Sequence, residues 1–172
     1  MKTPSALTKS LKLNLFGSDK IAILGIGSEL RCDDAAGMLV GHAINKEIKK
    51  SAKLKRKLKV FLGDTAPENL TGEIKIFNPD HIILIDSCDM NKKPGELGII
   101  SSDSVGGVSF STHQIPLKIL VDYIVHSLNC KALILGIQPK SLKYGEKPSK
   151  YVLKTVKELS SALLEAAKSV LN

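Results

Sequence analysis

The sequence predicts an α/β fold, a three-layer sandwich in which a mostly parallel twisted sheet of about five strands carries helices on both faces. Short apolar runs, "KIAILGIG" (20–27), "LKVFLGD" (58–64), "HIILIDS" (81–87) and "KALILGIQP" (131–139), read as strands buried on both sides. Amphipathic segments lie between them, as crossovers joining parallel strands require. No repeat, low-complexity tract or linker interrupts the pattern, so residues 1–172 read as one domain.

Each element has its own signal. Leu7, Leu11 and Leu15 share a helical face, which predicts an N-terminal helical extension over 1–18 packed onto the domain rather than onto a partner, the alternative use of such a face. Lysines run through the segment before residue 20, so it reads neither as a signal peptide nor as a membrane span. After the first strand, a helix from Asp34 to about Lys50 places Val40, Ile44 and Ile48 inward at steps of four. Past the second strand, Thr65 and Glu68 have the spacing of a capping box and Pro67 suits a first turn, so a short helix starts there. "GELGIIS" (95–101) is a weaker strand after the Pro94-Gly95 turn, one that an antiparallel edge would accommodate. A helix from Pro116 to Leu128 turns Leu117, Leu120, Ile124 and Leu128 to the core. The final helix, Ser149 to Leu171, is capped by Ser149 and buries Val152, Val156, Leu159, Leu163 and Val170.

Composition narrows the function classes. The formal net charge of +8 is concentrated in "NKEIKKSAKLKRKLKV" (45–60), but no aromatic interleaves the lysines and no nucleic-acid motif is present. A solvated helix end running into a loop accounts for the run, and a basic docking face for an acidic protein stays open. Three cysteines, Cys32, Cys88 and Cys130, form no CxxC pair and cannot all pair internally, which points to a reducing compartment and hence the cytoplasm. GxGxxG would need glycine where Leu30 stands, and GxxxxGK, HExxH and GxSxG are absent.

The chemistry-bearing stretch is "LGIGSELRCDDAAG" (24–37), where two acids follow the first strand. In an open parallel sheet, ligands bind beyond the carboxyl ends of the strands. Asp33 and Asp34 follow the first strand and Asp86 closes the third, so strand direction places all three along that edge. One carboxylate suffices to cap a helix, a role that suits Asp33; the second is surplus and asks for a counter-charge such as a metal cation. Asp86 ends the apolar run "IILID", where an ionised acid is costly unless it is paired or sits at the strand mouth. His113 precedes a helix, whose positive end favours a neutral, metal-binding imidazole. Residues 102–112, which span roughly 35 Å when extended, allow it to return to the same edge. His42, His81 and His126 have no acidic motif beside them and read as surface or packing residues.

Two carboxylates and an imidazole suit nickel, zinc or manganese. The same acids also fit an aspartic-protease dyad or the phospho-acceptor pocket of a signalling receiver domain. A receiver's acids follow its first strand more closely, and a lysine ends its last strand, where this chain has "LGIQP".

Taken in order, "LGIGSELRCDDAAG", "GDTAPEN", "IDSCDM", "KPGELGII", "STHQIPL" and "LGIQP" resemble the [NiFe] hydrogenase maturation endopeptidases, from about residue 18 to the final helix. The resemblance is strongest to the branch serving membrane-bound, formate-hydrogenlyase-like enzymes. It implies an enzyme that removes a C-terminal extension from a hydrogenase large-subunit precursor after nickel insertion, with nickel carried by the substrate as a recognition element; the chain is expected to be a monomer. It places the nickel-contacting residues at Asp34, Asp86 and His113, which are also the candidate catalytic residues, and leaves Asp33 as cap or support. Thr65, Glu68 and Gln138, in motifs bordering the cleft, read as orienting residues. A non-catalytic nickel-binding accessory protein is a further reading of the same residues. Two departures stand out: Ser28 replaces a usual asparagine, and Cys32 replaces a common glycine. Cys32 and Cys88 would bring thiols near a metal if they pointed inward, but small buried residues are the plainer reading of both.

Overall fold

The structure is a computed structural model that describes residues 4–100, 109–110 and 117–171. A single sheet, ordered β2-β1-β3-β6-β4, forms the middle layer, with β1 at Ile21–Ile26, β2 at Leu58–Asp64, β3 at His81–Asp89, β4 at Leu97–Ile100 and β6 at Lys131–Ile137. The pairings β1–β2, β1–β3 and β3–β6 are parallel, and β4 runs antiparallel to β6 at the edge. A two-residue strand, β5 at Ser109–Phe110, pairs antiparallel with the end of β3.

Alternation along the strands creates two cores. Ile21, Ile23, Ile83, Ile85, Leu133 and Leu135 face one way, against α1 (Pro4–Asn14), α2 (Ala36–Ile48) and α6 (Lys150–Leu171). Ala22, Leu24, Ile82, Leu84 and Ile134 face α4 (Thr71–Phe77) and α5 (Leu117–Leu128). Because both faces are covered, the central strands need apolar residues at every position, which is why they read as continuous runs.

The N-terminal helix and the turn after it pack on the domain, burying Leu11 and Leu15, while Lys12 meets Glu165 of α6 at 3.2 Å. Ser149 caps α6 by accepting the Val152 amide at 3.4 Å, and Val152, Val156, Leu159 and Leu163 are buried as predicted, with Val170 half-buried. Leu128 of α5 is also half-buried.

Three local expectations change. The helix expected from Asp34 begins instead as a 3-10 turn, Cys32–Ala35, with α2 proper starting at Ala36; tight turns of this kind are frequent at helix starts. Thr65 is not the N-cap: the 3-10 turn Pro67–Leu70 has Ala66 in that position, without a side-chain cap, although Pro67 does occupy its first turn. The lysine run is not a loop either. Ala52–Lys57 forms α3, held by buried Leu54 and by Ser51 Oγ, which accepts the Leu54 amide at 3.3 Å.

The order β2-β1-β3 sets the place of the candidate site. From β1 the chain goes to one side through α2, and after β2 it returns through α4 on the opposite face to β3. The crossovers therefore part between β1 and β3, the point at which an open sheet of this kind forms its crevice. Pairing of β1 with β3 ends at Gly25 and Ile85, one residue before Asp86.

Candidate functional site

At that parting point Gly27 adopts φ +117°, turning the chain out of β1. A Cβ there would overlap the main-chain carbonyl oxygen of Asp34 and lie 3.5 Å from Asp86 Oδ1, so only glycine fits where the chain leaves β1. Asp34 and Asp86 are both fully buried. The Ser28 amide donates to Asp34 Oδ2 at 3.1 Å and the Ser87 hydroxyl donates to Asp34 Oδ1 at 2.7 Å. The Ser87 amide in turn donates to Asp86 Oδ1 at 2.7 Å. Asp34 and Asp86 are thus brought together, joined through one serine.

The two neighbouring acids part company. Asp33 is buried but caps no helix of its own. Its Oδ2 accepts the amides of Lys140 and Ser141 at 2.7 and 3.3 Å, and its Oδ1 accepts the amide of Ser149 at 2.6 Å. Asp33 pins the loop after β6 and the start of α6, while Asp34 joins the β3 side. The tight turn lets adjacent residues serve separate surroundings.

His113, the predicted third ligand, lies outside the described residues. Among those residues, no group of three His, Cys, Asp or Glu side chains is gathered to hold a metal. By strand alternation Asp86 shares the face of Ile82 and Leu84, the side covered by α5, whose first residue is Leu117. Thr65 is exposed just past β2, and Glu68 is half-buried in the following 3-10 turn. Gln138 is buried at the end of β6; its Oε1 accepts the amides of Met90 and Lys92 at 2.7 and 3.2 Å, and its Nε2 donates to Asp89 Oδ1 at 3.2 Å. It therefore shapes the turn after β3.

Both departures have local explanations. Ser28 keeps a backbone donor on Asp34, and its hydroxyl accepts the Leu30 amide at 3.4 Å. Cys32 stands at φ +50°, in the left-handed region that favours glycine, and its thiol donates to the Lys147 carbonyl at 3.2 Å. Cys88 is buried, and loss of hydration, reinforced by the charges of Asp86 and Asp89, pushes its thiol up to about 12; it is not a thiolate at neutral pH.

The remaining histidines take the expected places. His42 pairs with Glu29 at 3.0 Å on the surface, His81 is buried at the start of β3, and exposed His126 contacts the Asp122 carbonyl at 2.6 Å. Sequence reading passed over Ser87 altogether. Its only signal was a hydroxyl directly after Asp86 inside a buried strand, where a polar group requires a partner.

Comparison with known proteins fits this arrangement. Residues 42–166 match the family model of hydrogenase maturation proteases, a span that includes Asp86 and begins beyond Asp34. A Methanocaldococcus jannaschii protein assigned as a hydrogenase maturation protease is 39% identical over 128 residues, covering 73% of this chain and 75% of that one. The hydrogenase 3 maturation protease of Escherichia coli K12 is 32% identical over 118 residues, covering 68% and 71%. The crystal structure of the [NiFe] hydrogenase maturation protease HycI from Thermococcus kodakarensis KOD1 superposes with a TM-score of 0.82 at 30% identity, covering 92% of this chain and 99% of that one. With a receiver's closing lysine missing from β6 and the fold, motifs and relatives in agreement, this chain belongs to the hydrogenase maturation protease family.

Proposed function

We propose that this protease acts as a single-domain monomer in the cytoplasm and removes a C-terminal extension from the large-subunit precursor of a [NiFe] hydrogenase after nickel has been inserted. Nickel travels in the substrate and serves as the mark of a finished precursor. The observation that carries the reading is the buried pair Asp34 and Asp86 at the parting point between β1 and β3, joined through Ser87. Two buried carboxylates in one crevice both favour a nearby positive charge. A metal held in the substrate supplies it.

In this reading Asp34 and Asp86 contact the nickel directly. His113 completes the set from the segment leading into α5, on whose side of the sheet Asp86 lies. Neutral imidazole and carboxylate are a donor set suited to nickel. Specificity then follows from differential contact: a precursor lacking nickel forfeits these interactions, and each roughly 1.4 kcal/mol so forfeited weakens binding about tenfold. The three buried thiols support the reducing setting, and among the described residues no helix is long and apolar enough to cross a membrane.

The test is to incubate the protein with nickel-loaded and nickel-free precursor and weigh the products. Release of a C-terminal fragment from the loaded precursor alone is the expected result. Release from both, or from neither, overturns the nickel-dependent reading.

A further inference from the structure

We propose that Ser87 is a positioning residue that sets how sharply the protease distinguishes a nickel-loaded precursor from an empty one; this rests on the nickel reading above. Ser87 is fully buried on β3, and it alternates with Asp86, so their side chains leave opposite faces of the strand. It nevertheless serves both acids: its hydroxyl donates to Asp34 Oδ1 at 2.7 Å and its amide donates to Asp86 Oδ1 at 2.7 Å.

Asp34 is consequently gripped from two elements. The Ser28 amide, on the loop leaving β1, holds Oδ2 at 3.1 Å, and the Ser87 hydroxyl, on β3, holds Oδ1. Turning the carboxylate plane would stretch or break at least one of these bonds, so its orientation is set before any precursor arrives. A donor on each oxygen fixes the plane of the Asp34 carboxylate and with it the direction from which a cation would be met. Metal contacts are directional, and groups that orient a ligand from behind typically alter metal affinity 10–100-fold when removed. Protein–protein contacts elsewhere on the precursor have no such dependence on one carboxylate's angle. Ser87 therefore acts on discrimination rather than on binding in general.

The experiment measures dissociation constants of the wild-type protein, Ser87→Ala and Ser87→Thr for nickel-loaded and nickel-free precursor, with thermal unfolding of each free protein alongside. Ser87→Ala should bind the loaded precursor about tenfold more weakly and the empty one within about twofold of wild type. Ser87→Thr keeps the hydroxyl on a residue suited to strands and should restore the difference. A merely structural role would weaken both precursors together. Discrimination by wild type and equally by Ser87→Ala overturns the role of Ser87 alone, as does a folded Ser87→Thr that behaves like Ser87→Ala. Equal binding of both precursors by wild type overturns the nickel reading itself, and this inference with it.

Discussion

Asp33 Oδ1 accepts the Ser149 amide at 2.6 Å across 116 residues of sequence. With Oδ2 holding the amides of Lys140 and Ser141, one buried carboxylate ties the turn after β1 to the loop after β6 and to the start of α6. Asp33→Ala leaves these part-buried amides without their acceptor, and charged hydrogen bonds of this kind contribute roughly 1.5–3 kcal/mol each. Non-additivity brings the expected loss to about 3 kcal/mol, or roughly 6–12 °C in Tm for a chain of this size. Calorimetry of the purified variant measures it.

Asp34 should respond in the opposite sense. Asp34→Asn and Asp86→Asn keep the side-chain shape while removing charge, so both should retain cooperative unfolding above the assay temperature. Cleavage of nickel-loaded precursor should fall by about 100-fold or more, the loss expected on removing a group in contact with the reacting centre. Normal cleavage rates in either variant would contradict the proposed roles.

Gly37 faces Gly25 where α2 crosses β1. A Cβ on Gly37 would overlap the Ile85 and Ile26 carbonyl oxygens and lie 2.6 Å from the Ile26 amide nitrogen, so the helix would have to lift off the sheet. Gly37→Ala should cost about 3 kcal/mol or more. Because α2 begins two residues after Asp34, activity should fall further than the loss of folded protein explains; comparing specific activity with the folded fraction decides this.

His81 confers a pH dependence on stability. It is only 3% exposed, and its Nδ1 has no hydrogen-bond partner among the described residues. Burial, helped by the Lys131 charge and opposed by Asp80, pulls its pKa from 6.5 to about 4. Between those values the unfolded chain binds a proton that the native protein refuses, so stability falls as pH drops through this window. The loss approaches about 3 kcal/mol by pH 4. Urea unfolding from pH 7 to pH 4.5 should show a shallower decline in His81→Leu than in wild type.

Much of the fold was legible because burial on both faces of a central strand forces an apolar residue at each position. β2 and the start of β3 fall where the runs placed them, and the helical faces of α1, α2, α5 and α6 follow from Leu11, Ile44, Ile124 and Leu159. The failures are local. Capping at Thr65 and a loop through the lysines were inferred from spacing and composition, which do not report the backbone angles around Ala66 or the burial of Leu54.

The sequence by itself determined the layered α/β architecture and the apolar runs that become its central strands, since periodicity and chain direction are properties of neighbouring residues; it ended the third strand near Asp86, whereas β3 continues to Asp89 with Asp86 still paired to Gly136. Only the tertiary structure decided that Asp33 belongs to the scaffold and Asp34 to the crevice, and that Ser87 links Asp34 to Asp86. Those assignments depend on which donors arrive from β3, the loop after β6 and α6. Hydrogen bonds across 53 and 116 residues are fixed by strand order and packing, not by anything beside the aspartates in the chain.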